Sequence, residues 1–244
     1  KEIEAHGVAI VEVVEGANRA WTYVQNSSFN RRLTPNTPMQ LNGPVRGSDL
    51  VKTAFSNDGT TGRGTINNCA NGTTPWATNL TCEENWAGYF RRSGDNALRT
   101  AKELTALNRY GVTSSSGNFG WSTVVPADAS NSLFRKWDAR ATAAGPLGDY
   151  RNEPNQYGWV VETDPYDKSK APRKRTALGR LGHEGAWPGK FAAGRKPAWY
   201  MGDDSRGEYM YKFVSATAWS AADGAESVTD RVAIGDKDLD TGTL

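Results

Sequence analysis

The residues best suited to chemistry in this chain fall in two short stretches far apart in sequence. The first carries Asn67-Asn68-Cys69-Ala70 and, past Trp76, Leu80-Thr81-Cys82-Glu83-Glu84-Asn85. On a strand, alternate side chains share a face, so Cys82 and Glu84 point one way and Glu83 the other. A thiolate and a carboxylate on one face make half a site for a transition metal, and carboxylates also suit a hard ion such as calcium. Two other readings stay open. Cys82 can be a small buried hydrophobe beside two solvated glutamates, or it can pair with Cys69 in a disulfide, which would remove it as a ligand.

The second stretch runs Arg173-Lys174-Arg175-Thr176-Ala177-Leu178-Gly179-Arg180-Leu181-Gly182-His183-Glu184-Gly185-Ala186. Flanking glycines let backbone approach a bound group closely. Glu184 is a candidate metal ligand, His183 a ligand or a partner to one, and the basic residues could hold an anionic substrate. The alternative is a solvated basic loop with an incidental His-Glu pair. Asp203-Asp204 suits calcium or a plain turn, and Asp236, Asp238 and Asp240 read as a solvated loop. G-x-S-x-G, P-loop, H-E-x-x-H and CxxC patterns are absent. Two histidines are too few for a histidine-rich zinc site.

The elements that must position these groups read as short strands. Glycine (26 residues) and tryptophan (9) are abundant, and Asn-Gly, Asp-Gly and Gly-Pro pairs punctuate the chain, as in an all-β protein. A hairpin is predicted over residues 6–25, and strands over 80–84, 157–163 and 174–181. A second hairpin spans 198–214 around the Asp203–Gly207 turn. Helices are predicted over 98–108 and 132–144. Lys and Arg (29) nearly balance Asp and Glu (27), which gives no reason to expect nucleic acid or a membrane surface as partner. No apolar run approaches the length that crosses a bilayer. Both ends read as cut, so the chain is expected to be an internal piece.

The ordered set Ala5-His6-Gly7-Val8, Asn67-Asn68-Cys69-Ala70, Thr74-Pro75-Trp76, Leu80-Thr81-Cys82-Glu83-Glu84-Asn85, Gly158-Trp159-Val160-Val161-Glu162, Lys174 to Arg180, His183-Glu184-Gly185-Ala186 and Tyr200-Met201-Gly202-Asp203-Asp204 resembles the PhoX-type bacterial alkaline phosphatases. The resemblance implies an incomplete section (residues 1–244) of one β-propeller phosphatase domain, with a helical insertion and long loops. It implies iron and calcium as cofactors, hydrolysis of phosphate monoesters, and export to the periplasm or beyond through the twin-arginine pathway. Carried over by motif, the metal ligands are Cys82 and Glu184, with Glu84 favoured over Glu83 by its facing. Two departures stand out. Trp76-Ala77-Thr78-Asn79 replaces the family's Trp-Gly-Thr followed by an aromatic. An upstream Asn-His-Glu segment and a downstream Arg/Glu segment have no counterpart, so the fragment is expected to be inactive alone and to need the remainder of its own propeller. The alternatives are a noncatalytic propeller that binds a partner and a calcium-dependent propeller lactonase.

Overall fold

The computed structural model describes residues 1–115, 117–128, 130–142, 144–224 and 228–244. These are mostly β with some helices. The strands are β1 (Val8–Ile10), β2 (Val13–Glu15), β3 (Trp21–Tyr23), β4 (Arg31–Leu33), β5 (Pro38–Asn42), β6 (Thr61–Arg63), β7 (Asn68–Thr73), β8 (Asn79–Glu83), β9 (Val160–Thr163), β10 (Arg173–Arg175), β11 (Trp187–Pro188), β12 (Ala198–Gly202), β13 (Met210–Ser215) and β14 (Gly242–Thr243). The helices are α1 (Glu2–Ala5), α2 (Ala101–Tyr110), α3 (Ser132–Arg135) and α4 (Arg231–Leu239).

A six-stranded sheet, in the order β6-β5-β10-β9-β8-β7, forms the centre, and a four-stranded sheet runs β11-β12-β13-β14. Two small sheets, β1-β4 and β2-β3, complete the set. Every strand pair is antiparallel except β5 with β10. Both hairpins expected from the turn residues form, as β2-β3 and β12-β13. No helix among the described residues is long and apolar enough to cross a membrane.

Strand β8 is covered on both faces. Leu80 and Cys82 point into a core with Trp76, Val160, Trp199, Met201, Phe213, Trp219 and Leu239, which glues the central sheet to the second sheet and to α4. Burying each of these large side chains contributes about 1.5–3 kcal/mol. On the opposite side an aromatic cluster of Trp86, Tyr89, Phe90, Trp121, Trp137 and Tyr157 is supplied by the segment between β8 and β9. In that segment α2 is fixed by a Thr100–Glu103 capping box and ends at Gly111, whose φ of 79° is the left-handed cap a glycine adopts readily.

Three sequence expectations need correction. The helix predicted over 132–144 stops after one turn at Arg135. The chain leaves it so that Ala139 N can donate to Arg91 O and Trp137 can bury in the aromatic cluster; residue 143 lies outside the described residues. The acidic run near the C-terminus is not a solvated loop: Asp236 and Asp238 lie in α4 and Asp240 caps its C-terminal end, and Asp236 and Asp240 both accept from Arg175 Nη1, at 2.6 and 2.9 Å. The basic stretch, finally, is not a solvated loop: Lys174 and Arg175 are buried, Arg173 and Arg180 partly so. Lys174, Arg175 and Arg180 point inward: Lys174 pairs with Glu83 at 2.8 Å, Arg175 with Glu162 at 2.5 Å, and the Arg180 guanidinium lies 4.2 Å over the Trp86 ring. Lys174 and Arg175 are fully buried and offer no surface to a substrate, whereas Arg180 is partly exposed and lines a cavity.

Candidate metal centre

Among the described residues, one group of thiol and carboxylate side chains is placed to hold a metal ion: Cys69, Glu84 and Glu184. One ligand atom from each lies within 4.8 Å of the others, and Cys69 Sγ stands 3.8 Å from Glu184 Oε1. The structure thus brings two of the sequence candidates, Glu84 and Glu184, to one place. The sulfur in that group belongs to Cys69, while Cys82 is buried next to it, with its thiol hydrogen-bonded to the backbone of Gly185.

A β-bulge explains the exchange of cysteines. Asn68 pairs with Glu83, yet Asn71 already pairs with Thr81, so Cys69 and Ala70 together face the single residue Cys82. The surplus residue makes the strand bulge, and a bulge re-aims side chains. Cys69 is exposed by it, while Cys82 stays in register opposite Val160 and fully buried in the core. Burial pushes the Cys82 thiol up to about 12, while a hydrogen bond from the Gly185 backbone acts the other way. Neither cysteine is in a disulfide.

Backbone contacts hold the other two ligands. Asn67 sits at φ 50°, and its carbonyl accepts from Glu84 N at 3.1 Å while its side-chain oxygen accepts from Asn85 N at 3.1 Å. Glu184 N donates to Gly202 O at 3.0 Å, which hangs the 183–185 segment on β12. Gly72 completes the approach. A Cβ there would lie 1.9 Å from Ala186 O, so only glycine lets β7, with Cys69, press against the chain that carries Glu184.

The cluster is electrostatically incomplete. Burial raises the Glu84 carboxyl above its ordinary value, and its contact with Asp204 raises it further. Burial and the neighbouring Glu84 likewise raise the Cys69 thiol. Glu84 and Glu184 form no ion pair with Lys or Arg among the described residues. Three acidic groups converging without a countercharge fit a cation, which would reverse both shifts by favouring the ionised ligands. A cavity of about 310 Å³ opens beside Glu84, lined also by Asn85, Arg109, Tyr110, Asp204 and Ser205. A larger one of about 790 Å³ adjoins Cys69.

The remaining candidates have other tasks. His183 is buried, with Nε2 2.9 Å from Gly179 O, and burial lowers it to about 4. Its imidazole is therefore neutral and outside the cluster. Glu83 is fully buried and accepts from Lys174 and from the amides of Gly158 and Trp159. Asp203 accepts from Ser205 N in the hairpin turn, whereas Asp204 reaches the Glu84 side. Cys69 was the residue that sequence reasoning passed over as a ligand. Its one sequence signal is two asparagines before it in an otherwise regular strand, and that does not reveal a bulge.

The sequence model of the alkaline phosphatase PhoX family matches residues 1–233. The chain belongs to the PhoX alkaline phosphatase family. Among solved structures it is similar to Pseudomonas fluorescens PhoX in complex with vanadate, a transition state analogue, at 36% sequence identity and a TM-score of 0.77. The match covers 97% of this chain and 35% of that one, so the chain spans about a third of its PhoX relative. No curated protein matches. Of the departures from the family pattern, the one at Ala77 has a visible consequence. Ala77 adopts φ 61°, a left-handed conformation that suits the glycine of the PhoX pattern better than an alanine.

Proposed function

We propose that this chain is a section of a PhoX-type phosphatase that hydrolyses phosphate monoesters, and that Cys69, Glu84 and Glu184 hold part of its iron and calcium centre. The observation that carries the reading is the convergence of a thiol and two carboxylates, unpaired by Lys or Arg among the described residues, in a chain of the PhoX family. The donor set fits the metals by type, since a thiolate suits iron and carboxylates suit either ion. Bound there, the cations supply Lewis acidity toward a phosphoryl oxygen and neutralise charge as the ester bond breaks.

The protein's own groups prepare the site. Asn85 Nδ2 donates to Glu84 Oε1 at 2.7 Å and keeps that carboxylate turned toward Cys69 and Glu184. Asp204 faces Glu84 across the smaller cavity, where a proton can be held between the two carboxyl groups until a cation displaces it. The vanadate bound by the P. fluorescens relative is a phosphate-like oxyanion, which agrees with a phosphoryl substrate here. The two sheets and their connecting segments are read as part of a β-propeller domain completed by polypeptide outside this chain, with a site of action in the periplasm or outside the cell.

The test is phosphate release from an aryl phosphate by the full-length protein. Chelation of its metals is expected to abolish release, and iron with calcium to restore it. Glu184→Gln is expected to lose activity even with metals in excess. Full activity in the chelated protein would refute the proposal.

A further inference from the structure

Glu83, the carboxylate next to Glu84, lies outside the metal cluster yet connects its two halves. Oε2 accepts from Gly158 N at 3.0 Å and Trp159 N at 3.1 Å, and Oε1 accepts from Lys174 Nζ at 2.8 Å. The Lys174 ammonium in turn rests 4.5 Å from the centre of the Tyr157 ring. Every atom of this pair is buried. The Glu83 backbone reaches further: its N–H donates to Trp159 O at 3.3 Å and its carbonyl accepts from His183 N at 3.0 Å.

One residue therefore anchors both carboxylate ligands. Glu84 follows it directly in the chain. Glu184 follows His183, whose amide is bound to the Glu83 carbonyl. The position of Glu83 is set by its side chain, because three donors from the start of β9 and from β10 converge on one carboxylate. Replacing a buried ion pair by neutral groups of similar size is often tolerated by a fold. A fully buried pair at this position, between two ligands, is better explained by what it orients.

We infer that Glu83, held by Lys174 and the Gly158 and Trp159 amides, is a positioning residue that sets the separation of the Glu84 and Glu184 carboxylates and so the affinity of the site for its cation. This rests on the metal-centre reading proposed above. Groups that orient ligands from behind typically change metal affinity 10–100-fold when replaced.

The experiment uses full-length protein loaded with iron and calcium and dialysed against a graded chelator, with metal content read by elemental analysis and folding by thermal unfolding. The variant is Glu83→Gln with Lys174→Met, which removes both charges and leaves no buried ion unpaired. The expected result is a cooperative unfolding transition close to that of the parent, with half the metal lost at a chelator concentration at least tenfold lower. Glu83→Asp alone, whose shorter arm cannot satisfy Lys174 and both amides together, is expected to shift the curve in the same direction. A folded variant that retains metal like the parent would overturn the inference. So would failure of both variants to fold, because Glu83 would then be a residue of the core and nothing more. A parent protein that binds no metal would instead refute the metal-centre reading itself.

Discussion

Replacing Arg175 separates a buried structural cation from a substrate-binding one. The guanidinium is fully buried and makes five polar contacts. Nε and Nη2 reach Glu162 Oε2 at 2.7 and 2.5 Å, Nη2 reaches Val232 O at 2.9 Å, and Nη1 reaches Asp236 and Asp240. Gly235 lets α4 lie close on top, since a Cβ there would fall 2.1 Å from Glu162 Oε2. Arg175→Met leaves Glu162 buried with only Trp76 Nε1 and Thr78 Oγ1 as donors, and it unties α4 from the sheet. Breaking one partner out of a buried pair costs about 3–5 kcal/mol. With a urea slope of about 3 kcal/mol/M for a chain of this size, the midpoint should fall by roughly 1–1.7 M. Urea unfolding of the 244-residue chain, followed by tryptophan fluorescence, reads this directly. Adding Glu162→Gln should recover at least half the loss, because the uncompensated charge is gone. A midpoint shifted by less than about 0.3 M in the single variant, together with a raised KM for a phosphate ester in the full-length protein, would refute the structural assignment and return the basic stretch to the substrate.

Two further perturbations test the fold around the site. Both Asp238 carboxyl oxygens are buried, with only a 3.7 Å ion pair from Lys237 to Oδ1, and burial raises the group to about 6. Its folded pKa lies above the unfolded one, so its contribution is present below about pH 4 and is lost as pH rises through 6. Asp238→Asn should therefore stabilise the chain by about 1–3 kcal/mol at pH 7 and by almost nothing at pH 4; equal urea midpoints for the two proteins at pH 7 would contradict this. Ala77→Gly removes a side chain from a left-handed backbone and should stabilise by about 1 kcal/mol in the same assay, where a loss of stability would show that Ala77 is not strained.

What was legible in the sequence was local. The Asp203–Gly207 turn announced β12 and β13, and the spacing of Leu98, Leu104 and Leu107 with Gly111 beyond them placed α2 to within a few residues. Helix α4 was not legible, because Gly235 and three aspartates disguise it as a loop. Only in the structure do Asp236 and Asp240, one turn apart, meet Arg175, while Val232 and Leu239 turn to the core. The same limit governed the site. Strand alternation put Cys82 and Glu84 on one face, but β8 ends at Glu83 and the bulge sits on the neighbouring strand, so the exposed sulfur comes from Cys69. A basic run likewise looks the same in sequence whether it meets solvent or, as here, the buried carboxylates of Glu83 on β8 and Glu162 on β9.

The central claim is that Cys69, with Glu84 and Glu184, holds metal, and the most direct measurement is the iron content of full-length protein carrying Cys69→Ala or Cys82→Ala. Cys69→Ala should purify folded with its iron lost. Cys82→Ala should keep its iron and lose about 1–3 kcal/mol of stability, as expected for a small cavity in the core. Iron retained in Cys69→Ala and lost in a folded Cys82→Ala would contradict the account.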